Sequence, residues 1–240
     1  MVISVKEVQK LHFRHFVYGK DRVRALAVND VHLWTILLSG LNEMEKYEGL
    51  LSNKDKRESN LIGSERNRRL FVAGRGVLRT LLGEYIHVRP QNVEIEIDIR
   101  GHQKLSESVN NDALSFNLTH SGNIILCAFA RQVSLGVDVQ YAYKVPVCAD
   151  AVLSRDEIRL IAQTPESLQT EMFLRIWTLK EAFLKATSRG LEAIDSVSVV
   201  RGWNSSTLTI ETRGTQAFRE FELFTFIPGL NYFATVVAGW

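Results

Sequence analysis

Cysteine is scarce: Cys127 and Cys148 are the only two among 240 residues. Two thiols supply neither a disulfide framework nor a zinc-ligand spacing, so a reducing cytoplasm is the expected setting. Cys127 lies inside the apolar run 124–130 and is expected to be a buried thiol. Long hydrophobic runs are missing too, and the first residues carry no extended apolar stretch. Neither a membrane helix nor a signal peptide is therefore expected. An excess of one charge is also lacking: 29 Lys and Arg against 27 Asp and Glu leave a net +2. That balance admits an acidic ligand without requiring nucleic acid. Residues 1–30 do interleave Lys6, Lys10, Arg14, Lys20, Arg22 and Arg24 with His12, Phe13, His15, Phe16 and Tyr18. A basic nucleic-acid-binding protein is thus one alternative, but no RNP, zinc-finger or helix-turn-helix signature accompanies these residues. The simpler expectation for them is a peripheral strand or a loose segment.

What is present suits one large domain or two small ones, either able to bury a core. Apolar residues at helical spacing predict helices over 42–51, 52–60, 64–86, 151–161 and around 173–187. Ser52 with Asp55 three residues on is a capping-box variant, Ser64 is a further N-cap residue, and Ser154 is an internal start signal within 151–161. Alternation predicts strands over 31–38, 93–99, 114–119, 123–131, 134–140, 196–201, 207–212, 220–226 and 232–238. Pro228-Gly229 marks the last turn. Two segments carry the trace of a duplication: Asn123-Ile-Ile-Leu-Cys-Ala-Phe-Ala130 resembles Asn231-Tyr-Phe-Ala-Thr-Val-Val-Ala238, an offset of 231−123 = 108. Val93 and Val197, each in the strand after a long helix, are 197−93 = 104 apart. A duplicated α+β unit with a ligand cleft between its halves is the architecture this suggests.

Several polar residues sit where packing alone does not ask for them. Asp138 falls in mid-strand, on the face of Gly136 and Gln140 and opposite Leu135, Val137 and Val139. It needs solvent, a partner or a metal, and the plain alternative is an edge-strand carboxylate facing water. Glu181 and Lys185 share one helix face, with Lys180 beside Glu181. Taken alone they are an ordinary solvated pair, a few tenths of a kcal/mol. Taken with partners they are a metal-ligating carboxylate and lysines for phosphate. Gly74 and Gly76 flank Arg75 in mid-helix, where glycine costs about 1 kcal/mol each. Either a ligand or a neighbouring backbone comes close there.

Four pieces then line up in order: Gly101-His-Gln-Lys104, Phe116-Asn-Leu-Thr-His-Ser121, Gly136-Val-Asp-Val139, and Trp177-Thr-Leu-Lys-Glu-Ala182 followed by Lys185. Arg69-Leu-Phe-Val-Ala-Gly-Arg-Gly-Val-Leu-Arg79 precedes them. This series resembles the 4'-phosphopantetheinyl transferases of the long, pseudo-dimeric, surfactin-synthetase-activating type, with a cyanobacterial look. The resemblance spans roughly residues 50 to 195, and the C-terminal strands loosely. It implies an α+β fold of two similar subdomains, residues 1–134 and 135–240, each a long helix on a mainly antiparallel sheet, with coenzyme A in the cleft between them. It implies transfer of 4'-phosphopantetheine from coenzyme A to a serine of an apo acyl or peptidyl carrier protein by a cytoplasmic monomer using Mg2+. Asp138, Glu181 and Lys185 would be catalytic; Asp138 and Glu181 would hold the metal, with Gln140 a weaker ligand because its amide is neutral and many members have Glu there. Arg75, Lys104, Thr119, His120, Lys180 and Lys185 would bind coenzyme A, Thr119 standing for the usual Ser. Trp177 would be largely core. Lys54, Lys56, Arg57, Arg68 and Arg69 are candidates for the adenosine 3'-phosphate. A catalytically weak coenzyme A-binding relative is the alternative that Gln140 raises.

Overall fold

A computed structural model describes residues 2–7, 11–15, 23, 25–28, 30–38, 44–99, 101–109, 113–142, 151–201, 208–212 and 221–239. Cys148 and the basic or aromatic residues Lys10, Phe16, Tyr18, Lys20, Arg22 and Arg24 lie outside the described residues. The strands are β1 (Val2–Glu7), β2 (Leu11–His15), β3 (Val31–Leu37), β4 (Ile95–Ile97), β5 (Gln103–Leu105), β6 (Leu114–Ser121), β7 (Ile124–Arg131), β8 (Ser134–Tyr141), β9 (Val197–Arg201), β10 (Leu208–Thr212), β11 (Phe221–Phe226) and β12 (Tyr232–Gly239). The helices are α1 (Met44–Glu48), α2 (Asn53–Asn60), α3 (Glu65–Ile86), α4 (Arg155–Gln163) and α5 (Glu166–Ala186). The fold is α+β.

Both long helices are delimited by local chemistry. Ser64 caps α3, its side chain accepting from the Asn67 N–H. Pro165 stands at the N-cap of α5, where its missing N–H costs nothing. Each helix ends on a left-handed residue, His87 at φ 56° and Ser188 at φ 52°. The next N–H then reaches back five residues, Val88 to Gly83 O and Arg189 to Leu184 O. The predicted strand 93–99 shortens to β4 because Asp98 is drawn into a turn, its side chain accepting from His102 N at 2.9 Å. Likewise residues 151–153 form a turn, and α4 starts only after Ser154 closes a capping box with Glu157.

Two sheets result, ordered β2-β3-β7-β6 and β8-β12-β11-β1-β10-β9, with β4-β5 as a separate ribbon. β1 pairs with β10 and β11 inside the larger sheet, so the first residues supply an interior strand rather than a peripheral one. The duplication is present in the backbone. β7 is flanked by antiparallel β3 and β6, and β12 by antiparallel β8 and β11. β12 begins 232−124 = 108 residues after β7, and α5 begins 166−65 = 101 residues after α3. One face of the smaller sheet packs on α3 through Ile125, Cys127 and Phe129 against Val77, Leu78 and Leu81. The larger sheet packs on α5 through Val197, Phe221 and Val237 against Leu179 and Phe183. The opposite faces share a third core, where Leu33, Leu126 and Ala128 join Val137, Val139, Ala234 and Val236. Burying a large aliphatic side chain is worth about 1.5–3 kcal/mol. This shared core therefore holds the two halves as one body.

Candidate active site

The two halves meet along β6 and β8. In β6, Asn117, Thr119 and Ser121 recur at period two and therefore share one side of the strand. Asn117 Oδ1 accepts from Val137 N at 3.1 Å, and Ser121 Oγ accepts from Tyr141 N at 2.9 Å. Between them, Thr119 Oγ1 donates to Asp138 Oδ1 at 3.0 Å. Side chains thus replace a backbone ladder along this seam, and Thr119 is spent on orienting Asp138.

Asp138 is not an edge carboxylate facing water: it is 1% exposed, beneath α5. The approach of α5 depends on Gly136, where an added Cβ would lie 1.9 Å from Ala182 O. Glycine there serves helix packing. Lys185 then donates to Asp138 Oδ1 at 2.7 Å and to Val137 O at 3.0 Å. Glu181, one helical turn earlier, lies 3.6 Å from the same ammonium. Gln140 Nε2 donates to Asp138 Oδ2 at 3.3 Å. Burial and the adjacent Asp138 carboxylate push Glu181 up to about 7, against the pull of Lys185. Two like charges in a confined place share one ammonium. His120 stands on the other side of β6; partial desolvation and the Lys185 ammonium lower its pKa, and Asp138 opposes them.

Two clefts open beside the seam. One, of about 590 Å³, is lined by His102, Gln103, Lys104, Asn117, Lys185 and Ser188 among others. The other, of about 390 Å³, is lined by Phe71, Arg75, Gln103, Leu118 and His120 among others. Arg75 is nearly buried; its Nη1 donates to Gln103 Oε1 at 2.8 Å and its Nε lies 3.3 Å from Asp55. Lys104 is exposed and 3.5 Å from Glu96 across the β4-β5 ribbon. Gly76 is explained by packing, because a Cβ there would meet Tyr47 Cβ at 3.0 Å. Of the remaining cations, Lys54 pairs with Glu58, Arg68 with Glu48 and Glu65, and Arg69 with Glu65. Lys56 and Arg57 are exposed on α2.

One expected ligand residue is elsewhere. Lys180 is 0% exposed, donating to Val152 O at 2.6 Å and lying 3.0 Å from the equally buried Glu157. An ammonium enclosed in the core cannot touch coenzyme A, so Lys180 is removed from the binding set. Trp177 packs against Phe173 at 6.2 Å between ring centroids, in the core as expected. Sequence reasoning missed Glu157 and Asp55 as partners of buried cations. Both are the third helical residue of a capping box, and a basic residue on the following long helix was the available signal.

The residues fit a hard divalent cation by donor type: Asp138 and Glu181 bring carboxylate oxygens together, and Gln140 adds an amide. Among the described residues no group of three or more His, Cys, Asp or Glu could hold a metal ion. A cation here would rest on two carboxylates, with water and substrate oxygens completing its shell. Among the described residues no helix is long and apolar enough to cross a membrane.

The family model of the 4'-phosphopantetheinyl transferase superfamily matches residues 134–237, from the start of β8 into β12. The 4'-phosphopantetheinyl transferase HetI of Nostoc sp. (strain PCC 7120) is 30% identical over 220 residues, 90% of either chain. The 4'-phosphopantetheinyl transferase Sfp of Bacillus subtilis (strain 168) is 33% identical over 86 residues, 35% of this chain and 38% of its own. The human L-aminoadipate-semialdehyde dehydrogenase-phosphopantetheinyl transferase is 23% identical over 137 residues, 52% of this chain and 44% of its own. With a relative matched at this identity across nearly its whole length, the chain belongs to the 4'-phosphopantetheinyl transferase superfamily.

Proposed function

We infer that the protein transfers the 4'-phosphopantetheine group of coenzyme A to a serine of an apo acyl or peptidyl carrier protein, releasing adenosine 3',5'-bisphosphate. The observation that carries this reading is the Asp138–Glu181–Lys185 cluster beside His120, in a chain of this family. In the reaction the serine oxygen bonds to the phosphorus that bears pantetheine. The bond from that phosphorus to the bridging pyrophosphate oxygen breaks, and the serine loses its proton. Such chemistry rests on positioning and on neutralising phosphate charge.

Each residue then has a task. Lys185, 26% exposed and lining the larger cleft, holds a pyrophosphate oxygen and stabilises the charge that develops on it. His120 and Arg75 contact phosphate from the smaller cleft, and Lys104 does so from the larger one. Glu181, one helical turn from Lys185 and beside Asp138, takes the serine proton directly or through one water. Thr119 and Lys185 both donate to Asp138 Oδ1 and orient its carboxylate. Mg2+ held by Asp138 and Glu181, with Gln140 as the weaker ligand, would neutralise the pyrophosphate. Because both halves of the seam come from one chain, a monomer in the cytoplasm suffices.

The test incubates the protein with coenzyme A, Mg2+ and a panel of apo carrier proteins, followed by intact-protein mass spectrometry. The expected result is the mass gain of one phosphopantetheine on at least one carrier. No gain on any carrier, with Mg2+ or Mn2+, would overturn the reading.

A further inference from the structure

The two halves solve one packing problem in the same way. In each, a short helix opens on a capping box whose buried carboxylate grips a cation on the following long helix. Asp55 holds Arg79, and Glu157 holds Lys180. The carboxylates are 157−55 = 102 residues apart and the cations 180−79 = 101. In the second half one cation per carboxylate is enough to lock the helices together. The first half carries a second: Arg75 lies one turn before Arg79 and shares the same carboxylate at 3.3 Å. Its counterpart, at 75+101 = 176, is the buried apolar Ile176. Arg75 is therefore superfluous to the lock.

We propose that Asp55 is a positioning residue for coenzyme A binding, aiming the Arg75 guanidinium into the smaller cleft. The proposal rests on Arg75 being a coenzyme contact, as assigned above. Asp55 is 3% exposed, and its Oδ2 accepts from Ser52 N at 3.0 Å, from Ser52 Oγ at 2.7 Å and from Arg79 Nε. The carboxylate is thus immobile, and its Oδ1 is the oxygen left for Arg75. The rest of the fork is fixed as well, by Gln103 at 2.8 Å and by the Phe71 ring 5.3 Å from the guanidinium carbon. Phe71, Arg75, Gln103 and His120 all line the smaller cleft. Glu58, 4.0 Å from Arg75, is shared with Lys54 at 3.9 Å, so three cations face two carboxylates and a positive excess remains. A bound phosphate completes that balance.

The test measures coenzyme A binding by calorimetry and steady-state transfer in parallel. Asp55→Asn combined with Arg79→Met deletes one charge of each sign and leaves Arg75 without its anchor. The expected result is about tenfold weaker binding with kcat within about threefold. Adding Arg75→Ala to this variant should change binding no further, although Arg75→Ala alone weakens it as much. Asp55→Asn alone, which still accepts from Ser52, is the second variant and carries the same expectation. The matching deletion in the other half, Glu157→Gln with Lys180→Met, should leave binding within about twofold. Unchanged binding in both Asp55 variants, or equal weakening when Arg75 is already Ala, overturns the proposal. Binding without transfer to any carrier would defeat the proposed activity while leaving this inference decided. Wild-type protein that does not bind coenzyme A defeats both.

Discussion

Lys180→Met separates a core lysine from a ligand lysine. In the structure its ammonium and the Glu157 carboxylate are each 0% exposed and 3.0 Å apart. Removing the ammonium leaves a buried anion, and breaking such a pair costs about 3–5 kcal/mol. Glu157 would keep two donors, Ser154 N at 2.6 Å and Val199 N at 2.8 Å. The lower end, about 3 kcal/mol, is therefore the expected loss. In a chain of this size each kcal/mol moves the melting temperature by about 2–4 °C, so the midpoint should fall by about 6–12 °C. Glu157→Gln combined with Lys180→Met removes both charges and should recover most of that fall, since deleting a buried pair whole is far cheaper than splitting it. Thermal unfolding followed by circular dichroism at pH 7 reads both variants, with coenzyme A affinity measured alongside. The affinity of Lys180→Met for coenzyme A should match wild type. A variant that melts with wild type but binds coenzyme A about tenfold more weakly would refute the argument and return Lys180 to the ligand.

Three further outcomes follow from the same geometry. The Glu181 carboxyl is raised to about 7, so its stabilising contribution is complete below its unfolded value near 4.5 and disappears as pH rises through about 7. Metal-free protein should therefore lose stability between pH 5 and 8, Mg2+ should restore more of it at pH 8 than at pH 6, and Glu181→Gln should flatten both trends; an Mg2+ shift in melting temperature that ignores pH and Glu181 would contradict the assignment. Gly136→Ala would set a Cβ 1.9 Å from Ala182 O and 2.6 Å from Ala186 N. It should destabilise by about 3 kcal/mol in urea unfolding and cut transfer by separating Lys185 from Asp138, and a wild-type midpoint would show that α5 can move aside. Gln140→Glu should keep transfer and tighten Mg2+ in a titration, because it adds one charge to the donor set; loss of transfer in a folded variant would show that the amide has a role of its own.

How far the sequence alone reached differs from residue to residue. The alternation of Leu135, Val137 and Val139 against Gly136, Asp138 and Gln140 set the face of every side chain in β8, and the structure places those faces as the alternation requires. Ser52 and Ser64 announced two helix starts because capping is chemistry within four residues, whereas the helix expected from 151 begins only after Ser154, the start signal inside it. The 108-residue offset between β7 and β12 was legible because both strands are buried on two faces and keep apolar composition. Burial of charge was not legible. Lys180 and Lys185 stand five residues apart on one helix, and composition cannot say that one ends in the core against Glu157 and the other at the cleft. That depends on where α4 docks, a long-range fact. The place of β1 between β10 and β11 was hidden for the same reason, since strand pairing across the whole chain leaves no local trace.

The most direct measurement is the rate at which an apo carrier protein gains phosphopantetheine from coenzyme A with wild-type, Asp138→Asn and Glu181→Gln proteins, each first checked for a cooperative melt. The cluster as described predicts transfer by wild type and a fall of at least about a hundredfold in both folded variants. Near-wild-type rates in either variant would contradict the site at its centre.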